Sequence, residues 1–202
     1  MRIAGVILAG GSSRRMGGRE KAFLTVGGVP LLARIAHTLA RQARPIVINA
    51  SGDLARFAAF GLDVIADEAC RGPMAGLTGV LDWFADADRG ITHVLSVPSD
   101  TPFLPDDLGA RLAAALTPDS LVACAASGGR LHPVVGLWPL TSRRVLHAAI
   151  ADGILGFHAA FQGQPVAPVE WPVKPHDPFL NVNTPEDLAA AEAILRQLDE
   201  LT

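Results

Sequence analysis

"RIAGVILAGGSSRRMGGREK" (residues 2–21) joins a short apolar run to a loop that carries four glycines and four basic side chains. Residues 2–8 are almost continuously apolar, which is typical of a strand covered on both faces in a parallel sheet. Glu20 is the only acidic residue of the loop, so the loop has a formal charge of +3 in a chain of net charge −3. The stretch predicts a first core strand that ends in a cationic, glycine-rich loop.

Short apolar runs and stretches of helical spacing continue to alternate up to residue 126. The strand candidates are residues 2–8, 45–50, 62–66, 92–97 and 120–126, and the helix candidates are residues 30–42, 53–60, 76–87 and 105–116. Strands that alternate with helices form βαβ units, because a parallel neighbour has to be reached by a crossover connection. We therefore predict an α/β fold with a three-layer, mostly parallel, Rossmann-like sheet flanked by helices.

The pattern changes after residue 126. Proline-punctuated strand candidates at residues 132–139 and 165–173 accompany helix candidates at residues 141–151 and 154–161. A last helix is marked by Thr184 as N-cap, Pro185 at the first helical position and Asp187 two residues later. Since there is no internal repeat or low-complexity linker, we predict one domain over residues 1–202, with halves of about 1–126 and 127–202.

Composition narrows the class of protein. A chain of 202 residues, half of them apolar and 18% charged, can bury a sizeable core. Its nearly balanced charge gives no reason to expect nucleic acid or an anionic membrane as partner. No run approaches the roughly 18 consecutive apolar residues of a membrane span. Cys70 and Cys124 lack metal-ligand spacing, so we expect buried, reduced thiols in a cytoplasmic protein.

The loop from residue 9 to residue 21 begins where open parallel sheets bind ligands, beyond the carboxyl end of a strand. Glycines let backbone N–H groups approach an anion, and the basic side chains suit a polyphosphate. The spacing fits neither the dinucleotide G-x-G-x-x-G fingerprint nor the Walker A pattern. Lys21 is one of two lysines beside fifteen arginines, which favours a compact ammonium here. A structural loop with solvated arginines is the alternative.

Three polar residues fall at predicted strand ends. Asn49 and Asp67 lie at the ends of the second and third strands, and Asp100 follows the fourth. Because parallel strands end at one edge of a sheet, all three should share that edge with the loop. Turn formation and helix capping are the alternatives, since Asn and Asp are favoured there as well. A carboxylate at Asp100 suits Mg²⁺ when nucleotide phosphates and water supply the other ligands.

"LAGGSSRRMGGREK" (8–21) resembles the signature loop of the molybdenum cofactor guanylyltransferases, within the nucleotidyltransferase superfamily that includes sugar-nucleotide pyrophosphorylases. The resemblance continues in order through "VINA" (47–50), "DEACRGPMAGLTG" (67–79), "VPSDTPFLP" (97–105), "HPVVGLW" (132–138) and "FLNVNTPEDL" (179–188). These motifs cover nearly the whole chain, and they imply the nucleotide-diphospho-sugar transferase type of fold. Glu20 stands where the family usually has aspartate, and we assign it no role.

The resemblance implies an activity and a set of site residues. The family transfers GMP from GTP to the terminal phosphate of molybdopterin, releasing pyrophosphate with Mg²⁺ as cofactor. The implied nucleotide-binding residues are Leu8, Ala9, Gly10 and Gly11 for the guanine, Asn49 and Asp67 for base or ribose, Lys21 and Arg15 for the triphosphate, and Asp100 for Mg²⁺. Molybdo-enzymes or delivery proteins are the implied further partners, and we expect a monomer. Residues 1–126 would then be the nucleotide-binding half and residues 127–202 the substrate-binding half.

The chemistry of this reaction needs no general base, because the attacking phosphate is already anionic at neutral pH. Its main obstacle is repulsion between two anionic substrates, which Asp100-bound Mg²⁺, Lys21 and Arg15 would offset. In agreement with this expectation, the sequence shows no convincing Ser-His-Asp or Cys-His set.

Candidates for the second substrate lie in the second half. His132 could contact the pterin or simply fix the backbone before Pro133. Asn181 and Asn183 alternate on an extended stretch and so share a face, where amides could bond pterin or phosphate; closing the loop before the last helix is the alternative. Trp83 and Trp138 are expected in the core.

Two rival functions stay open. One is a related nucleotidyltransferase that uses CTP or a sugar-phosphate acceptor. Relatives that use CTP typically have L-A-A-G where this chain has Gly10, and the missing Cβ is compatible with a larger purine. The other is a non-catalytic GTP-binding protein that delivers cofactor, against which Asp100 and Lys21 argue together.

Overall fold

The computed structural model describes residues 1–10, 21–67, 72–86 and 90–200. Within these residues, the central sheet has seven strands in the order β5-β4-β1-β6-β8-β7-β9. These strands are β1 (Ile3–Leu8), β4 (Ile46–Ala50), β5 (Asp63–Ala66), β6 (His93–Pro98), β7 (Val122–Ser127), β8 (Arg130–Pro139) and β9 (Val166–Trp171). A separate two-stranded hairpin is formed by β2 (Thr25–Val26) and β3 (Val29–Pro30).

The sheet is mostly parallel, as predicted. Strands β5, β4, β1 and β6 run in one direction, and β9 runs parallel to β7. Strand β8 is antiparallel to both of its neighbours, β6 and β7. Nearly every residue of β1, β4 and β6 is buried or half-buried, which explains why these strands are continuously apolar in the sequence.

Within the described residues, five α-helices flank the sheet: α1 (Leu31–Ala40), α2 (Pro73–Asp86), α3 (Leu108–Ala115), α4 (Arg143–Ala151) and α5 (Phe157–Ala160). The last helix, α6 (Pro185–Asp199), packs against the β2–β3 hairpin. Helices α1 and α3 share one apolar cluster with the sheet, while α2, α4 and α5 share the other. Successive side chains of β1 alternate between these clusters, with Val6 in the second and Ile7 in the first. The predicted three-layer architecture is confirmed.

Three local expectations differ from the structure. Residues 53–60, expected as an α-helix, form the 3-10 helix Leu54–Phe60, closed by the Asp53 side chain at its start and by Gly61 at φ 64° after its end. The hairpin β2–β3 was not expected, because two-residue strands carry no periodicity; Gly27 and Gly28 make its turn at φ 59° and 74°. Helix α2 begins at Pro73 rather than residue 76, after Gly72.

The start of α6 confirms the predicted cap. Thr184 accepts a hydrogen bond from the backbone N–H of Asp187, and the Asp187 carboxylate accepts from the backbone N–H of Thr184. Pro185 occupies the first helical position. This reciprocal pair fixes the chain immediately after Asn183, one of the predicted site residues.

One edge of the sheet collects the predicted site residues. The carboxyl ends of β1, β4, β5 and β6 lie there, and β8 begins there because it runs antiparallel to β6. We call this the carboxyl edge. The short 3-10 helix Lys21–Phe23 packs beside it against α1.

Other predictions have mixed outcomes. Cys124 is buried, and that burial raises the pKa of its thiol to about 12, whereas Cys70 lies outside the described residues. Trp138 is fully buried, and Trp83 packs against the same apolar cluster. Across the described ranges, no helix is long and apolar enough to cross a membrane.

Candidate active site

A cleft of about 270 Å³ opens at the carboxyl edge. Its lining includes seven of the predicted site residues: Leu8, Ala9, Gly10, Lys21, Asp100, His132 and Asn181. They come from the ends of β1 and β6, the 3-10 helix Lys21–Phe23, the start of β8 and the segment before α6, which are distant in sequence. Asp100 thus shares this edge with Gly10 and Lys21 of the loop, as predicted, whereas Gly11 and Arg15 lie outside the described part of the chain.

Lys21 is held at the centre of the cleft by two side chains. Its Nζ lies 3.2 Å from Asp100 Oδ2 and also donates to Asn183 Oδ1. Asn183 is held in turn, since its backbone N–H donates to Asp187 Oδ2 at 2.9 Å. The ammonium thus connects the first loop, the end of β6 and the cap of α6. This placement explains how one lysine, isolated in the sequence, becomes part of the site.

The burial of Asp100 disfavours the ionised form of its carboxyl group. Its side chain is only 14% exposed, and burial raises the pKa of its carboxyl group, while the charge and hydrogen bond of Lys21 partly oppose that rise. Oδ2 contacts Lys21, while Oδ1 is buried and makes no hydrogen bond of normal geometry among the described residues, although the nearby Thr101 hydroxyl and Asp100 backbone N–H also lower the pKa of the carboxyl group. A buried carboxylate oxygen without a partner is costly unless a ligand satisfies it.

That oxygen fits a hard cation. Within the described ranges, no group of three or more His, Cys, Asp or Glu side chains could enclose a metal ion. Mg²⁺ bound at Asp100 would therefore take most of its oxygen ligands from nucleotide phosphates and water, which is the usual arrangement for this ion. The donor set is compatible with the metal predicted from the sequence.

The side of the cleft towards β4 and β5 is polar and closely packed. Asn49 is buried, and its Nδ2 lies 3.3 Å from the Ile65 carbonyl oxygen. Asp67 follows β5, and its Oδ2 lies 3.8 Å from the position of a Cβ on Gly10. Both residues thus lie beside the first strand end, as predicted.

Gly76 of α2 was not predicted as a site residue. A Cβ at this position would collide with Asn49 Oδ1 and lie 3.5 Å from Asp67 Oδ2. The backbone of α2 therefore lies directly against the two side chains for which the family resemblance implies contact with base or ribose. The motif "GPMAG" (72–76) was the available signal, but the sequence alone gives no reason for the second glycine.

The opposite side of the cleft contains an unexpected Ser, His and Asp together. His132 Nε2 lies 2.7 Å from Ser127 Oγ, which donates to Asp177 Oδ1 at 2.9 Å. The sequence did not predict this contact, which forms because β7, β8 and the 177–179 segment bring the three residues together. The serine lies between the other two, so the order differs from a nucleophilic triad, in which histidine lies between serine and aspartate.

The segment around Asn181 forms its hydrogen bonds with the end of β6, beside Asp100, and not with His132. Its Oδ1 accepts from the Thr101 hydroxyl at 2.9 Å, and the backbone N–H of Val182 donates to the Asp100 carbonyl oxygen at 2.8 Å. These bonds join the 181–183 segment to the end of β6. Both predicted asparagines are therefore tied to the Lys21–Asp100 pair.

The sequence matches the family described as MobA-like NTP transferase domain over residues 5–169. The chain belongs to this family. A relative from Bradyrhizobium sp. (strain ORS 278), named molybdenum cofactor guanylyltransferase, is 47% identical over 98% of this chain and 95% of its own length. One of the same name from Rhodopseudomonas palustris (strain BisB5) is 48% identical over 94% and 92%. The chain is thus a nucleotidyltransferase of the MobA-like family.

Solved structures share the fold at low sequence identity. Molybdopterin-guanine dinucleotide biosynthesis protein A from Archaeoglobus fulgidus aligns with a TM-score of 0.73 at 21% identity, over 98% of this chain and 100% of that chain. 4-Diphosphocytidyl-2C-methyl-D-erythritolsynthase from Anaerococcus prevotii DSM 20548 aligns with a TM-score of 0.77 at 14% identity, over 96% of both chains. The MobA-like chain therefore has the nucleotide-diphospho-sugar transferase fold predicted from its sequence.

Proposed function

We propose that this protein transfers GMP from GTP to the terminal phosphate of molybdopterin, forming the guanine dinucleotide cofactor and releasing pyrophosphate in an Mg²⁺-dependent reaction. The observation that carries the chemistry is the Lys21–Asp100 pair in the cleft, with its partnerless Oδ1. The choice of guanine and molybdopterin rests on the relatives that bear the name molybdenum cofactor guanylyltransferase. The predicted cytoplasmic location and monomeric state enter the proposal unchanged.

The proposed reaction is a direct displacement at phosphorus. An oxygen of the acceptor phosphate attacks the α-phosphorus of GTP, and the bond to the bridging oxygen breaks as pyrophosphate leaves. Since the attacking oxygen is already anionic, no side chain has to remove a proton. This requirement agrees with a cleft whose charged lining groups are Lys21, Arg130 and the buried Asp100.

The residues of the cleft then have separate tasks. Gly10, Asn49 and Asp67 bind the nucleoside at the β1, β4 and β5 side of the edge. Lys21 binds phosphate oxygens and lowers the repulsion between the two anions. Mg²⁺ held by Asp100 would supply further charge neutralisation on the transferred and leaving phosphates.

The test measures pyrophosphate release with GTP, CTP, ATP and UTP, each with and without molybdopterin. We expect release only with GTP, molybdopterin and Mg²⁺ together, and its loss in Asp100→Ala. Asp106→Ala is the matched control, because that aspartate is exposed and pairs with Arg41 away from the cleft. Preference for CTP or a sugar-phosphate acceptor, or full activity of a folded Asp100→Ala protein, would overturn the proposal.

A further inference from the structure

The linked side chains His132, Ser127 and Asp177 lie on the far side of Asp100 from the nucleoside residues. Strands β8 and β7 follow β6 in the sheet, whereas β1, β4 and β5 lie on its other side. His132 lines the cleft, and its ring packs against Phe179 with centroids 4.9 Å apart. These side chains therefore lie on the side of the cleft where, under the proposed function, the acceptor would bind.

The available protons determine the donor and the acceptor of each hydrogen bond that links His132, Ser127 and Asp177. A carboxylate only accepts, so the single proton of the Ser127 hydroxyl is donated to Asp177 Oδ1. Ser127 Oγ can then only accept from His132, whose Nε2 lies 2.7 Å away and must carry a hydrogen. Asp177 is itself fixed, since its Oδ1 also accepts from the backbone N–H of Phe179 at 2.9 Å.

The surroundings of the His132 ring favour its neutral form. Burial lowers the pKa of His132, with Arg130 acting in the same direction, while the charges of Asp177 and Glu170 oppose the shift. A neutral imidazole carries one N–H, which is already assigned to Nε2. Nδ1 is therefore a hydrogen-bond acceptor, and no side chain or backbone group in the described ranges bonds to it.

We propose that Ser127 and Asp177 are positioning residues that lock His132 in its Nε2–H tautomer, so that Nδ1 accepts a hydrogen bond from an N–H group of the acceptor's heterocycle. The identity of that acceptor rests on the proposed function, in which it is a pterin with several ring and exocyclic N–H donors. The serine has no nucleophilic role, because its proton faces a carboxylate and the nearby imidazole nitrogen has no lone pair to receive it.

The first test is nitrogen-15 NMR of the histidine rings in the substrate-free protein, which distinguishes the two neutral tautomers and the imidazolium. We expect His132 as the Nε2–H form at pH 7.5, a shift towards the Nδ1–H form in Ser127→Ala, and the wild-type pattern in Ser127→Thr. Ser142→Ala is the matched control, because it removes another buried serine bond, 2.6 Å to the Leu121 carbonyl, away from the cleft. An Nδ1–H or imidazolium ring in the wild type would overturn the proposal, as would an unchanged tautomer in Ser127→Ala.

The second test is steady-state kinetics. Losing one oriented hydrogen bond to the acceptor should raise the KM for molybdopterin about tenfold in Ser127→Ala, with the KM for GTP unchanged. Equal changes in both KM values, or none, would contradict an acceptor-specific role. If the wild type showed no transfer to molybdopterin, the proposed function would fail, whereas the substrate-free tautomer measurement would still decide the positioning role.

Discussion

Gly76 lies where helix α2 crosses the Asn49 side chain, and the absence of a side chain there has a specific consequence. A Cβ at position 76 would occupy the place of Asn49 Oδ1. Asn49 is buried and also bonds the Ile65 carbonyl, so it cannot move aside without losing that contact. We therefore expect Gly76→Ala to turn the Asn49 amide away from its present orientation and raise the KM for GTP about tenfold or more.

A second glycine of the same helix provides the control. Gly79 is exposed, and a Cβ there would meet nothing within 4 Å. Gly79→Ala should keep the wild-type KM and raise the free energy of unfolding by up to about 1 kcal/mol, since alanine favours helix. Kinetics and urea unfolding of both variants check the pair; a normal KM in Gly76→Ala would show that the position of Asn49 is unimportant for nucleotide binding.

Among single residues, the sequence predicts those whose side-chain type already indicates a chemical role. Lys21, Asp100 and Asn183 were predicted singly, and the structure brings them into contact. Gly76 and Ser127 were missed, because their importance depends on which side chain lies opposite, and no local pattern records that. Asp177 was missed for the same reason, since it meets Ser127 across 50 residues of chain.

The cap of helix α6 links an element's stability to the site. The Asp187 carboxylate accepts from the backbone N–H groups of both Asn183 and Thr184, each at 2.9 Å. Thr184→Ala removes one half of the capping box and should lower the free energy of unfolding by about 1 kcal/mol. Because Asn183 is the residue that bonds Lys21, we also expect a lower kcat/KM.

Glu186→Ala and Thr184→Ser are the comparisons for this cap. Glu186 lies in the same turn but takes no part in the capping box, and serine keeps the hydroxyl that Asp187 bonds. Both should unfold at nearly the wild-type urea concentration. A Thr184→Ala protein as stable as Glu186→Ala would contradict the expected contribution of the cap.

Elements were predictable from the sequence to the extent that they are long. The apolar runs of β1 and β6 are recognisable because burial on both faces removes polar residues from them. The reversed direction of β8 was not predicted, since antiparallel and parallel strands of a covered sheet look alike in sequence. The two-residue strands β2 and β3 are too short for any period.

The order of strands arranges the proposed substrates across the whole molecule. From β5 to β7, the carboxyl edge presents the proposed nucleoside-binding residues, then Lys21 and Asp100, then His132 and Ser127. The buried carboxylate of Asp100 lies in the middle, between the sites proposed for the two anionic substrates. A protein folded only for stability would not place an incompletely bonded carboxylate there, so activity and stability should oppose each other at this position.

Comparing the stability of Asp100→Asn with that of the wild type, both free of metal, measures how strongly the charge of Asp100 opposes folding. Burial raises the pKa of Asp100 in the folded state above its unfolded value, so the folded state binds the proton more tightly. The wild type therefore loses stability as pH rises from about 4 through the folded-state pKa, and at neutral pH the ionised group opposes folding. In EDTA we expect Asp100→Asn to be at least as stable as wild type at pH 7.5, and the advantage to shrink as the pH is lowered through the pKa of Asp100 in the folded state. Urea unfolding of both proteins at each pH gives the difference, with Asp106→Asn as the control for removing an exposed charge.

The same Asp100→Asn protein should have no transferase activity and should gain no thermal stability from GTP with Mg²⁺, whereas the wild type should gain it. A variant less stable than wild type at pH 7.5 by an amount independent of pH would show that Asp100 contributes to folding rather than opposing it.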